Sequence, residues 1–189
     1  MLVVAHETGL ADRIELVPTT LSPIEPSLAV NAANPLGKIP ALETDEGDVI
    51  YDSHVIVDML DAMHGGRRMI PASRKERTRV LRVEALADGI LDAGILVRYE
   101  MVLRPAELRW PDWIHRQREK AERGLDVLQA DVQALPEEID LRHIAAACTV
   151  GWLLFRNPVE GIAARWPELH AFFVRFSERP SMQATEPKI

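Results

Sequence analysis

The run IAAACTVGWLLF, Ile144–Phe155, is apolar on nearly every side of a helical wheel, broken only by Thr149 and Gly151. A helix without a polar face has to be covered all round by other elements. This one is too short to cross a bilayer, so the cover must be protein. The flanking sequence supplies it. Val80, Val83, Ala87, Ile90, Leu91, Gly94 and Ile95 recur at helical spacing across Glu76–Tyr99. Pro105 and Pro111 bracket a break, and Pro111 suits a helix first turn, where its missing N–H costs nothing. Ile114, Ala121, Leu125, Leu128, Val132 and Leu135 then continue in threes and fours up to Pro136. Asp140 is placed to cap the apolar helix. Pro167 opens a last long helix with Leu169, Phe172, Phe173 and Phe176 inward, and Arg179-Pro180 stops it. Everything after residue 76 therefore reads as a helical bundle around 144–155.

The first third is of a different kind. Candidate strands are Ile14–Val17, Ala41–Glu43 and Val49–Tyr51, the last two joined by the turn-rich Thr44-Asp45-Glu46-Gly47-Asp48. Leu2–Ala5 reads as the end of a helix, with Gly9 at a left-handed cap. It has neither an N-cap residue nor an acidic first turn, as if entered partway. Asp52-Ser53 opens another helix, with Val55, Ile56, Met59, Leu60 and Met63 as its apolar stripe and Gly65-Gly66 as its end. The polar segment RRMIPASRKER (67–77) marks a boundary, predicting one domain over 1–66, a linker over 67–75 and a second domain over 76–189.

Composition narrows the chemistry. A net charge of −7 over 189 residues argues against a nucleic-acid partner, which would want a basic face. Cys148 is the single cysteine and belongs in the buried helix, so no disulfide is predicted and the thiol reads as a core residue. The histidines form no i, i+4 pair, and no metal is expected. With a single cysteine a reduced, cytoplasmic setting fits, and no signal peptide or membrane span is visible.

One constellation points to a ligand: NPLGKIPAL (34–42) followed by YDS (51–53). An X-Pro bond at the start of a strand can be cis, and a cis Ile39–Pro40 bond would turn the Ile39 backbone groups away from the sheet, toward an extended peptide. Ser53 at a helix start offers a hydroxyl and free N–H groups to a carboxylate, and Lys38 adds positive charge. On spacing alone the plainer alternative stays open: Pro40 marks a turn, Asp52 and Ser53 cap a helix, and Lys38 is a solvated charge.

These two motifs strongly resemble the glutathione-binding signature of the glutathione transferase family. The two-part layout is similar too. IAAACTVGWLLFR (144–156) resembles the family's central buried helix, EALADGILDAGILVRYE (84–100) the first helix of its second domain, and RPSMQAT (179–185) the ending common in bacterial members. The resemblance implies a thioredoxin-like N-terminal domain followed by an all-helical domain, with glutathione as substrate and a small electrophile as its acceptor. It implies that Ile39 pairs through its backbone with the cysteinyl part of glutathione and that Pro40 is the cis proline. Ser53 would hold the γ-glutamyl carboxylate, Asp52 would lie near the amino group, and Lys38 would touch another part of the peptide. Tyr99 and Trp110 are candidate walls of an electrophile pocket; for Tyr99, Arg98 and Glu100 a part in a dimer interface or a plain surface role stays open, and Trp110 and Trp113 could equally pack between helices. A cytoplasmic homodimer acting in detoxification follows from the resemblance alone.

By the same comparison the chain looks to lack the family's first strand and the turn that carries a Ser, Tyr or Cys, roughly 15–20 residues. That hydroxyl or thiol, with the positive end of the first helix, makes glutathione's thiolate. No catalytic residue is therefore assigned, and Thr20 and Ser22 in the next loop fit no pattern that recruits them. The expectation is that the native product starts upstream of Met1 and that the chain as given is a poor catalyst with an incomplete sheet. The rival reading is a non-catalytic transferase-like module that binds glutathione or protein.

Overall fold

A computed structural model describes residues 1–19 and 21–187, so Thr20 lies outside the described residues. The chain divides into two compact units, with the boundary between Arg68 and Met69.

The first unit begins with helix α1, Leu2–Glu7, whose Val3, Val4 and Ala5 are buried. It closes in the predicted way. Gly9 takes φ +71, its N–H donates to the His6 carbonyl at 3.2 Å, and the Leu10 N–H reaches back to Ala5 at 2.8 Å. That pair of bonds is the Schellman cap, which glycine adopts without a Cβ penalty. Helix α2, Leu28–Ala33, had no signal in the periodicity. Ser27 caps it, its hydroxyl accepting from the Val30 N–H at 3.4 Å. Strands β1, Leu42–Glu43, and β2, Val49–Ile50, form an antiparallel hairpin with Leu42 opposite Ile50 and Glu43 opposite Val49. Gly47, at φ +85, turns the chain between them.

The expected strand over Ile14–Val17 does not form. The segment leaves a short 3-10 turn, Ala11–Arg13, in extended conformation, but no described strand pairs with it, and Leu16 and Val17 are exposed. Alternation prescribes an extended backbone; a strand also needs a neighbour to take its N–H and C=O groups.

Helix α3, Ser53–Ala62, starts where predicted but faces differently. Ile56, Val57, Leu60 and Asp61 are buried, whereas Val55 and Met63 are exposed. Asp61 can sit inside because Arg68 Nε donates to it at 2.9 Å and the His64 ring lies 3.2 Å away. That pair rotates the buried face away from the stripe that hydropathy alone selects. The helix ends at Met63 with ordinary helical angles, not at a left-handed glycine.

The second unit is all helical: α4 Arg74–Arg98, α5 Pro111–Gln133, α6 Leu141–Arg156, α7 Ile162–Arg165, α8 Pro167–Ser177 and α9 Pro180–Ala184. Helix α6 packs on α4 and α8, and α4 also packs on α5. Ile144, Ala146, Ala147, Thr149, Val150 and Leu153 of α6 are buried, and its Ala146, Val150 and Leu153 share one core with Ile90, Leu125, Leu128, Trp166 and Leu169. Leu154, at 40 % exposure, is the part of the apolar run left uncovered. Two glycines allow the helices to approach. A Cβ on Gly124 would lie 2.5 Å from Ile90 Cγ1, and one on Gly94 would lie 3.0 Å from the Trp152 ring.

Asp140 caps α6 as expected, accepting from the Arg142 N–H at 3.0 Å. His143 Nδ1 lies 3.2 Å from the Asp140 backbone N and 3.3 Å from its Oδ1, and His143 Nε2 lies 3.1 Å from the Pro136 carbonyl. Histidine here takes the glutamate's place in a capping box. Pro180 begins α9 as well as ending the previous helix, because a proline at the first helical position loses no bond. Among the described residues no helix is long and apolar enough to cross a membrane.

Candidate glutathione site and a second cavity

The loop that leads into β1 is held from inside. Asn34 is 1 % exposed; its Nδ2 donates to the Lys38 carbonyl at 2.9 Å and its Oδ1 accepts from the Leu36 N–H at 3.0 Å. This Asx turn, with Gly37 at φ +62, fixes the chain just before Ile39. The Ile39–Pro40 bond is cis. Ile39 is 56 % exposed, and no group of the described residues takes its N–H or C=O. Lys38 is exposed.

The other half follows β2. Asp52 is the N-cap of α3, its Oδ1 accepting from the His54 N–H at 3.2 Å. Ser53 is the first helical residue, half-buried, and its hydroxyl has no partner among the described residues. The hairpin joins the halves. Among the described residues, pairing is confined to Leu42 with Ile50 and Glu43 with Val49, so Pro40, two residues before β1, and Asp52, two residues after β2, both leave from the open end of the hairpin. That end carries the unpaired backbone of Ile39, the exposed Lys38 next to it in sequence, and the start of α3 with its Asp52 cap and an unpartnered Ser53 hydroxyl. A smaller hollow of about 210 Å³, lined by Leu10, Arg13, Leu42 and Glu46 among others, lies toward the turn end instead.

Asn34 was missed as a site residue. Its signal was legible in hindsight: an asparagine two residues before a backbone N–H, in the Gly- and Pro-containing NPLG, is the composition of an Asx turn.

In the second unit Tyr99 and Trp110 line one cavity of about 540 Å³ with Leu96, Glu100, Arg104, Leu108 and Trp113. Helix α4 runs into a π-helical turn, Tyr99–Leu103, closed by the Arg104 N–H on the Tyr99 carbonyl at 3.2 Å. This turn buries Glu100, whose Oε2 accepts from Arg104 Nε at 2.8 Å and whose Oε1 accepts from the Trp110 N–H at 2.9 Å. Trp110 and Trp113 stack with centroids 6.2 Å apart. Arg104 was not singled out by sequence, although Glu100 and Arg104 stand at the i, i+4 spacing of a helical ion pair. Burial pushes the Cys148 thiol pKa up, away from the thiolate a nucleophile needs. Among the described residues no cluster of His, Cys, Asp and Glu could hold a metal ion.

A thioredoxin-like unit carrying this hairpin site, followed by an all-helical unit, is the architecture of a glutathione transferase. Residues 1–63 match the family model for the glutathione S-transferase N-terminal domain. The uncharacterized GST-like protein YibF of Escherichia coli (strain K12) is 40% identical over 157 residues, 82% of this chain and 77% of that protein. The chain belongs to the glutathione S-transferase family. A crystal structure of a family member from Pseudomonas fluorescens Pf-5 with bound glutathione is 46% identical and superposes with a TM-score of 0.95, covering 100% of this chain and 92% of that one. A second structure from that organism, with bound S-(propanoic acid)-glutathione, is 45% identical with a TM-score of 0.90 over the same shares of the two chains.

Proposed function

We propose that the protein binds glutathione at the open end of the β1–β2 hairpin and transfers its thiol to a small electrophile, or exchanges thiols. The observation that carries this reading is that the Ile39–Pro40 and Asp52–Ser53 segments both leave the open end of the β1–β2 hairpin. An extended peptide can pair with the unused Ile39 N–H and C=O. Its γ-glutamyl carboxylate gains the Ser53 hydroxyl and the positive end of α3. Its amino group is within the field of Asp52, and Lys38 meets the remaining carboxylate. The relatives from Pseudomonas fluorescens, crystallised with glutathione and with an S-substituted glutathione, support the same ligand.

In the conjugation, the thiol gives its proton to solvent and the thiolate attacks an electrophilic carbon. A C–S bond forms and the leaving group departs with its bonding pair. Tyr99 and Trp110 belong to the wall that receives the acceptor. On the resemblance, we extend the reading to a cytoplasmic homodimer.

The test is calorimetric titration of glutathione into the protein and into Ser53→Ala, with turnover of 1-chloro-2,4-dinitrobenzene measured alongside. Removing one hydrogen bond to a charged carboxylate is expected to weaken binding by about 1–2 kcal/mol, roughly tenfold. Unchanged affinity in Ser53→Ala removes that residue from the site, and no binding to the unaltered chain overturns the reading.

A further inference from the structure

We propose that the second unit's cavity selects a planar apolar anion, an aryl carboxylate in chemical class, with its ring on the Trp110–Trp113 wall and its carboxylate on the outer edge of Arg104. The inference deepens the acceptor role given to this cavity above and rests on that reading only for what the ligand is used for.

Two charged side chains line the cavity, Glu100 and Arg104, and they are not equally available. Glu100 has an 8% exposed side chain, and both of its oxygens are occupied, one by Arg104 Nε and the other by the Trp110 N–H. It has little left to offer a cation. Arg104 spends only Nε on this pair. Its side chain is 51% exposed, and no acceptor among the described residues takes its Nη groups. A guanidinium whose Nε is already fixed presents its remaining N–H groups as a preoriented fork, the geometry that matches a carboxylate. The same Glu100 ties Trp110 to Arg104, so the aromatic wall and the cationic edge are held by one buried carboxylate.

The rest of the lining sets the ligand's body. Leu96, Leu108, Trp110 and Trp113 are apolar or aromatic, and the volume of about 540 Å³ suits a small molecule. A neutral aromatic could use the stacked indoles, but it would strip water from Arg104 without replacing the lost hydrogen bonds. An anion on the same ring replaces them. The charge state of the ligand, more than its apolar area, therefore decides occupancy.

The experiment compares 2-naphthoate with 2-naphthamide, which share ring and size and differ in charge, by calorimetry on the full chain. Naphthoate is expected to bind about tenfold more tightly. In the double variant Glu100→Gln with Arg104→Gln, which leaves no buried carboxylate without its cation, the two ligands are expected to bind equally. Equal affinities in the unaltered chain, or a naphthoate preference that survives in the double variant, overturn the proposal. If the double variant does not fold, the ratio in the unaltered chain decides. Glutathione is titrated into the same preparation. Naphthoate preference without glutathione binding sinks the transferase reading and keeps this site; glutathione binding with equal naphthyl affinities does the reverse.

Discussion

Replacing Asp140 with asparagine separates the charge that anchors α6 from the cap that starts it. Asn caps a helix about as well as Asp, so the Arg142 N–H keeps its acceptor. What goes is the ion pair: Arg142 Nη2 at 2.6 Å and Nε at 3.0 Å from Asp140 Oδ2. Asp140 is 1 % exposed, and burial by itself would raise its carboxyl; the His143 ring and the Arg142 guanidinium outweigh that and hold it down at about 2. Against an unperturbed value of 3.8, this depression is worth about 2 kcal/mol of folding free energy. The sign follows from the folded carboxyl being the stronger acid. The stabilisation is complete above the unfolded value, declines as pH falls from about 4 toward 2, and is gone below the folded value. Asp140→Asn should therefore cost about 2 kcal/mol at pH 7 and progressively less below pH 4. Urea unfolding of both chains, followed by far-ultraviolet circular dichroism from pH 7 down to 2.5, measures the gap. A gap that stays constant with pH refutes the reasoning because the cost then does not come from the charge, and no gap at pH 7 refutes it because the charge then contributes nothing.

Two further substitutions probe the packing around the same helix. Thr149 is fully buried in α6, and its hydroxyl has no partner among the described residues; Thr149→Val, similar in shape, should raise stability by about 1 kcal/mol in urea titrations, and a loss would mean the hydroxyl is satisfied. Gly124→Ala gains about 1 kcal/mol of helix propensity but sets a Cβ 2.5 Å from Ile90 Cγ1 and 3.0 Å from its Cδ1. Overpacking of that kind costs about 1–3 kcal/mol, so the thermal midpoint should fall, and a rise would show that Ile90 moves aside freely.

The sequence by itself determined what depends on local chemistry. Gly9, Pro111, Asp140 and Pro167 marked helix ends because caps and first turns are settled within a few residues. The 144–155 run declared its burial because no polar face was available to meet water. The hairpin was legible from its turn, and NPLGKIPAL with YDS supplied both halves of the candidate site.

The tertiary structure decided what depends on a partner distant in the chain. Ile14–Val17 has a strand's alternation but no described strand beside it. The stripe of α3 turned because Asp61 found a cation seven residues on, which no hydropathy pattern records. That the Ile39–Pro40 and Asp52–Ser53 segments leave from one end of a hairpin is a property of the β1–β2 pairing. Arg104 became the open edge of a cavity only once Glu100 was buried with one oxygen on a backbone N–H ten residues away. Propensity and capping are written into neighbouring residues; register and the burial of charge are fixed only when separate segments meet.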